Sequence, residues 1–266
     1  MDKIDGQKIA EIIYSRINSN IKRRLKLVVI MVGDNPSTES FVAQKKKAAL
    51  RVGVDFEILH LAADTNTSEA ERIVKQASED PSITAVVVQL PLPEQIDKER
   101  VLLSISPEKD ADSLNGGNLL APAVGTVLEI INFLGKDIES LNFAVVGYGK
   151  LVGKPVYEFL LKKAKSVSLL RRGDDLVEKI KEVDVIVTGT GSPGLIKAHM
   201  VREGTIIIDF GYGLTGDGKL RGDFDSEGLT KQIYYTPTPG GTGPILVAKL
   251  FENIYNLDSG FPLSRE

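Results

Sequence analysis

Residues 141–155, LNFAVVGYGKLVGKP, decide how the rest of the chain is read. Phe143 to Val146 are apolar and include two β-branched residues, the composition of a strand covered on both faces of a parallel sheet. Gly147, Gly149 and Gly153 then remove side chains where a backbone turns sharply, approaches a ligand and lets the next helix pack on the sheet. A helix N-terminus presents free N–H groups and the positive end of its dipole, which suits a phosphate. Strand, turn and helix in this order predict a dinucleotide turn, although Gly-x-Gly-x-x-x-Gly is one residue longer than the usual fingerprint.

A second short strand, Val167 to Leu170, follows and runs into Arg171 and Arg172. An acidic residue at that place holds the ribose hydroxyls of NAD, whereas an Arg accommodates the extra phosphate of NADP, so the charge favours NADP. Two solvated arginines after a strand is the other reading, and Asp174 and Asp175 stand close enough to offset them. Strands at 183–188 and 205–210 extend the same sheet. Between them Gly189-Thr-Gly191-Ser-Pro-Gly194 also matches Gly-x-Gly-x-x-Gly and competes as the phosphate loop. Pro193 inside it suits a turn covering the far side of a cofactor, which makes it the weaker candidate.

Upstream, residues 4–23 place Ile9, Ile12, Ile13, Ile17 and Ile21 at near-helical spacing, an amphipathic first helix. A strand at 25–32 stops at Gly33-Asp34-Asn35-Pro36, and Ser37 or Thr38 is placed to cap a helix over 39–52. Strands at 54–61 and 83–90 alternate with helices at 68–78 and 98–105. Such alternation implies a parallel sheet with crossover helices. Residues 106–125 read as loop and crossover, 126–134 as a helix leading to the glycine turn, 236–244 as a rigid Pro/Gly loop and 245–255 as a final amphipathic helix. The expected fold is therefore α/β with two α/β domains, the second Rossmann-like: residues 1–122, with 245–266 returning to them, and residues 123–244.

A chain of 266 residues is long enough for two such domains. With 42% hydrophobic and 26% charged residues and a formal net charge of −3, nothing suggests a nucleic-acid surface. No apolar run approaches the roughly 18 residues of a membrane span, and the acidic N-terminus has no signal-peptide core, so a cytoplasmic protein with no membrane partner is expected. The absence of Cys excludes thiol nucleophiles, disulfides and Cys-built zinc sites, and no metal is expected. His60, in an apolar run, and His199, before Met200 in a predicted helix, read as structural. Chemistry thus falls to Lys, Asp, Glu, Tyr or a cofactor.

Phe41 and Lys45 are four apart and share one helix face, while Lys46 and Lys47 point elsewhere; a solvated lysine face is the other reading of this run, and the more common one. Gln89 ends a strand of valines, where parallel sheets bind ligands, and its amide can fix a lysine rotamer. Asp110 and Asp112 alternate in an extended loop, so only one of them faces a given cleft.

Taken in order, the strings SFVAQKKKAA (40–49), VQLPLP (88–93), KDAD (109–112), VVGYGKLVGKP (145–155) and TPTPGGTGP (236–244) resemble the FolD family, the bifunctional methylenetetrahydrofolate dehydrogenase/cyclohydrolases. The likeness spans nearly the whole chain, and VQLPLP together with PGGxGP is far more specific than the glycine turn. It implies hydride transfer from 5,10-methylenetetrahydrofolate to NADP, then water addition to the methenyl cation giving 10-formyltetrahydrofolate, both in one cleft between the domains of a homodimer paired through the second domain. It implies that Lys45 serves water addition, Gln89 orients it and Asp112 grips the pterin, with Phe41, Val88, Leu90, Pro239 and Gly240 around the folate substrate. A lysine facing a cationic substrate is pushed toward its neutral form, as a proton acceptor requires. The implied cofactor contacts are Gly147, Tyr148, Gly149, Arg171, Arg172 (where the family usually has Ser) and Tyr212.

Departures from the family pattern are Phe41 for Tyr, Ser113 for Gly, Tyr148 for an Arg that helps hold the NADP phosphate, and a loose fit over 121–127. They touch hydrolysis more than hydride transfer, so a dehydrogenase with weak or lost hydrolysis is the first alternative. A shikimate-type NADP dehydrogenase and a non-catalytic sensor are the others.

Overall fold

The computed structural model describes residues 2–18, 24–115, 117, 119–216 and 218–259. Ile21 of the expected first helix lies outside them. The chain divides into two units, one of Ile13–Pro122 with Val247–Glu266, the other of Met1–Ile12 with Ala123–Leu246.

In the first unit three parallel strands lie in the order Val54–Leu61, Leu25–Val32, Ala85–Val88. The central strand LKLVVIMV is buried at every position but Lys26, as its uninterrupted apolar run requires. Backbone hydrogen bonds from Thr84 to Lys26 and from Gln89 to Ile30, both 2.9 Å, carry the short third strand to Gln89. Because the chain leaves the central strand to one side and later returns on the other, a topological switch lies at its C-terminal end. The helix after it is Pro36–Val52, starting earlier than a Ser37 or Thr38 cap would have it. Proline is suited to a first helical position, and the Glu39 N–H already bonds the Asn35 carbonyl at 3.0 Å. The next helix, Thr67–Glu79, is capped by Asn66, and Lys98–Leu103 by Asp97. Val28, Ile30, Val74, Val86, Val88 and Leu102 form the core between sheet and helices.

In the second unit a parallel sheet runs Asp2–Lys3, Tyr234–Tyr235, Ile206–Asp209, Val185–Thr188, Asn142–Val146, Ser166–Leu170. The strand before the glycine turn has its next two strands on opposite sides, so Gly147 sits at the switch point. Residues 1–12 group here, whereas the sequence reading placed them with the first domain. The cause is edge pairing: Asp2 bonds the Ile233 carbonyl at 3.1 Å, Ile4 the Tyr235 carbonyl at 2.8 Å and Gly6 the Gly240 carbonyl at 3.1 Å. Helices Gly6–Asn18 and Thr242–Ser259 each begin in this unit and end in the other. The second starts ahead of the expected Ile245 because the Thr242 hydroxyl bonds the Asp209 carbonyl at 2.8 Å. Pro122–Phe133 likewise starts ahead of Thr126.

His199 lies exposed in a single 3-10 turn, Ala198–Met200. His60 shares a hydrogen bond of 3.1 Å with the Gly33 carbonyl. Among the described residues no helix is long and apolar enough to cross a membrane.

Candidate active site

Lys45 leaves the helix Pro36–Val52 one turn beyond Phe41, and its Nζ donates to Gln89 Oε1 at 2.9 Å. Gln89 Nε2 in turn donates to the Leu90 carbonyl at 2.8 Å. The two bonds together settle which end of the amide faces the lysine, since only its oxygen can accept. Burial pulls the Lys45 ammonium below its ordinary value, and the attraction of Asp112 opposes this. For Asp112 the pair works in reverse, with burial raising the carboxyl and Lys45 opposing. Each partner is therefore pushed toward its neutral form.

Asp110 has another task. Only 1% exposed, it accepts the N–H groups of Leu114 and Asn115 on Oδ2, both at 2.7 Å. Burial pushes its carboxyl up to about 6, the backbone bonds pull it down and Asp112 adds to the rise. Of the two aspartates, Asp110 braces the turn and Asp112 is the one that meets Lys45. The loop is tied further by Asn253, whose Nδ2 donates to the carbonyls of Ala111 and Leu120 at 2.9 and 2.8 Å, and by Asn115 Nδ2 on the carbonyls of Leu102 and Ile105. Ser113, where the family pattern has Gly, sits at φ 55°, and its hydroxyl bonds the Leu119 carbonyl at 2.6 Å. That bond offsets the roughly 1–2 kcal/mol a side chain loses in the left-handed region.

In the second unit the three glycines do separate jobs. Gly147 takes φ 91°, which glycine alone adopts freely. A Cβ on Gly153 would lie 2.2 Å from the Gly147 carbonyl oxygen, so the helix Gly153–Lys163 starts directly against the turn. A Cβ on Gly149 would meet nothing within 4 Å, which leaves that side of the turn open. Gly153→Ala is accordingly expected to cost about 1–3 kcal/mol and to weaken dinucleotide binding, whereas Gly149→Ala leaves the thermal midpoint unchanged. Thermal unfolding and calorimetric titration of the two variants read this difference.

Beside the turn, the Arg171 guanidinium lies 4.8 Å from the centre of the Tyr148 ring. Arg172 is exposed. The two acids that blurred the charge reading are committed locally. Asp174 takes the Arg171 N–H at 2.6 Å and Lys179 at 2.5 Å, and Asp175 caps the short helix Leu176–Ile180. A turn with an open side, beside a strand end that offers arginines rather than a free acid, fits NADP.

The competing loop 189–194 is fastened from within. Asp223 Oδ2 accepts the Thr190 N–H and the Thr188 hydroxyl, and Oδ1 accepts the Ser192 N–H, all at 2.7 Å. Gly194 N–H goes to the Gly222 carbonyl at 3.0 Å. The N–H groups of residues 190, 192 and 194 are thus spent on the protein, and the loop has few left for a phosphate. It remains a wall of the switch point, since a Cβ on Gly147 would touch Thr190 Cγ2 at 3.0 Å. Behind it lies Asp209, 2% exposed, accepting Gly211 N–H at 2.6 Å and Phe224 N–H at 2.8 Å.

The structure thus joins Lys45, Gln89 and Asp112 in one unit, with Phe41 half-buried one helical turn away and Val88 and Leu90 flanking Gln89. In the other it joins Gly147, Tyr148 and Arg171 but leaves Arg172 outside that cluster. Tyr212, half-buried, follows the strand Ile206–Asp209, while Pro239 and Gly240 lie in the loop that receives Gly6. Sequence reasoning missed Asp223 and Asn253. Asn253 had a signal, an amide three residues beyond Leu250 at the spacing of the final helix's apolar face, whereas Asp223 had none, because its partners are more than thirty residues away in the chain.

The family model described as tetrahydrofolate dehydrogenase/cyclohydrolase, catalytic domain, matches residues 4–112, and its NAD(P)-binding domain matches residues 121–259. The chain is 35% identical to the bifunctional protein FolD of Staphylococcus aureus (strain Newman) over 269 residues, 94% of each chain. It is similar to the crystal structure of the methylenetetrahydrofolate dehydrogenase-cyclohydrolase of Trypanosoma brucei complexed with NADP and inhibitor, with a TM-score of 0.90 and 28% identity over 97% of both chains. Likeness to the shikimate 5-dehydrogenase of Thermus thermophilus is one of fold alone, with a TM-score of 0.57 and 15% identity over 91% of this chain and 95% of that one.

Proposed function

The chain belongs to the tetrahydrofolate dehydrogenase/cyclohydrolase family, and from that premise we propose that it oxidises 5,10-methylenetetrahydrofolate to the methenyl form with NADP and hydrolyses the methenyl form to 10-formyltetrahydrofolate. The observation that carries the second step is the Lys45–Gln89 bond of 2.9 Å beside Asp112. Gln89 takes one N–H of Lys45 and fixes its rotamer. Burial favours the neutral amine, whose lone pair then accepts a proton from the water that adds to the methenyl carbon. A cationic substrate strengthens that bias by repelling an ammonium. Asp112 presents a carboxyl to the polar edge of the pterin, and the ring of Phe41 supplies an apolar face. NADP, when bound at the Gly147 turn, supplies the hydride acceptor for the first step.

Mixing the protein with methylenetetrahydrofolate and either NADP or NAD, and following the methenyl absorbance, tests this reading. The expected trace rises with NADP and then decays faster than methenyltetrahydrofolate does in buffer. No rise with either dinucleotide would overturn it. The same proposal includes a cytoplasmic location and a homodimer built on the second unit, whose hairpin Gly213–Leu214/Leu220–Arg221 carries the exposed Leu214. Light scattering at twice the 28.9 kDa chain mass supports the dimer, and a monomer mass excludes it.

A further inference from the structure

We propose that Tyr148 is a positioning residue that makes Arg171 the clamp for the 2′-phosphate of the cofactor, so that preference for NADP over NAD here depends on an aromatic ring rather than on an arginine within the turn. The inference rests on the reading that the second unit binds NADP.

Tyr148 projects from the glycine turn itself, between Gly147 and Gly149. Its hydroxyl donates to Glu158 Oε1 at 3.2 Å, and its ring meets that of Tyr157 edge-on at 6.2 Å. Both partners belong to the helix Gly153–Lys163 that starts at the turn, so the ring is held by the same element that fixes the backbone. Arg171 is held at both ends. Its N–H is bound by Asp174 at 2.6 Å, and its guanidinium lies over the Tyr148 ring at 4.8 Å, within the range where a cation is drawn to an aromatic face.

A cation–π contact consumes no N–H, so the donors of the guanidinium remain available for a phosphate, which they match in geometry. Fixing the long side chain beforehand removes much of the entropy that binding would otherwise cost. Arg171 and Arg172 are both exposed, and of the two it is Arg171 that lies over the Tyr148 ring. Charge at the strand end alone would not separate the two arginines; the ring selects Arg171.

Calorimetric titration with adenosine 2′,5′-bisphosphate and with 5′-AMP isolates the phosphate contact from folate chemistry. The full-length protein is expected to bind the bisphosphate more tightly. Arg171→Ala should cut that preference by about 10-fold, the worth of a charge-assisted hydrogen bond, and Tyr148→Ala by about 3-fold to 5-fold, the worth of an exposed cation–π contact. Tyr148→Phe keeps the ring and should stay within about 2-fold of the parent, and Arg172→Ala should cut the preference less than Arg171→Ala does, while 5′-AMP affinity holds in the Tyr148 variants. An unchanged preference in Tyr148→Ala, an equal loss for both nucleotides, or loss in Arg172→Ala without loss in Arg171→Ala would each overturn the role of Tyr148 with the NADP reading intact. A parent protein that binds both nucleotides equally would overturn the NADP reading and this inference with it.

Discussion

Lys45→Met is expected to slow methenyl hydrolysis by about 10³-fold while leaving hydride transfer within about 3-fold of the parent, the usual scale for loss of a positioned proton acceptor. Methionine keeps the length of the stem and fills the same space, but it has no lone pair that takes a proton at neutral pH. The substitution also leaves Gln89 Oε1, at a residue only 7% exposed, without its donor at 2.9 Å. That loss costs about 1–3 kcal/mol, and Asp112 loses the attraction of Lys45 as well, so the rates are compared at a temperature well below the variant's thermal midpoint. Hydride transfer does not need a base at position 45, and the two rates therefore separate.

The pH profile carries the same assignment. Burial sets the Lys45 pKa below 10.5, so the neutral fraction, and with it the hydrolysis rate, rises with pH until the amine is fully neutral. Asp112→Asn removes the attraction that opposes the shift and should move this rise to lower pH. Gln89→Glu places a second carboxylate against Nζ and should move it higher. Linkage has the matching sign: the folded state releases the Lys45 proton first, so stability from this group is gained as pH climbs from the folded value toward 10.5. Decay of the methenyl absorbance across neutral and alkaline pH measures the rate directly. A Lys45→Met enzyme that hydrolyses at the parent rate would remove Lys45 from the mechanism.

What the sequence disclosed followed the range of the forces involved. Strands such as Leu25–Val32 and Asn142–Val146 were legible because burial on both faces demands an unbroken apolar run. Gln89 stood out because it closes a run of valines, but Lys45 did not, since a lysine run reads as readily as a solvated face; its pairing with Gln89 came from the likeness to the FolD family. Helix starts were less so. Pro36 begins its helix ahead of the hydroxyl residues that looked like the cap, and Thr242 begins its helix through a bond to Asp209, 33 residues distant. That residues 1–12 group with the second unit was not legible, because edge pairing of Asp2 with Tyr234 leaves no trace in a two-residue strand. The choice between glycine loops needed coordinates too, since only they reveal that Asp223 occupies the N–H groups of 190 and 192.

Asp223→Ala should therefore destabilise the second unit by about 4 kcal/mol, the scale for breaking a buried charged network. Its three contacts, each 2.7 Å, would leave the Thr188 hydroxyl and the N–H groups of Thr190 and Ser192 without acceptors, in a setting where Thr188 is 0% exposed. At about 2–4 °C per kcal/mol, the thermal midpoint should fall by roughly 10 °C. Asp223→Asn keeps one accepting oxygen but turns an N–H₂ toward a donor, so a smaller loss is expected. It also removes the charge facing Asp209, whose carboxyl burial pushes up to about 6, against the pull of backbone N–H groups and with the further push of Asp223.

The sign is opposite to that of a salt-bridged acid. Because the Asp209 value in the folded state exceeds the ordinary 3.8, its favourable contribution is complete below about pH 4 and is lost as pH rises through about 6, a change of about 3 kcal/mol. Asp223→Asn lowers the folded value and should flatten that loss, which appears as a difference between parent and variant unfolding free energies over this window. An Asp223→Ala protein as stable as the parent would deny the clamp. Parallel pH curves for parent and Asp223→Asn would show that the two buried carboxyls do not sense each other.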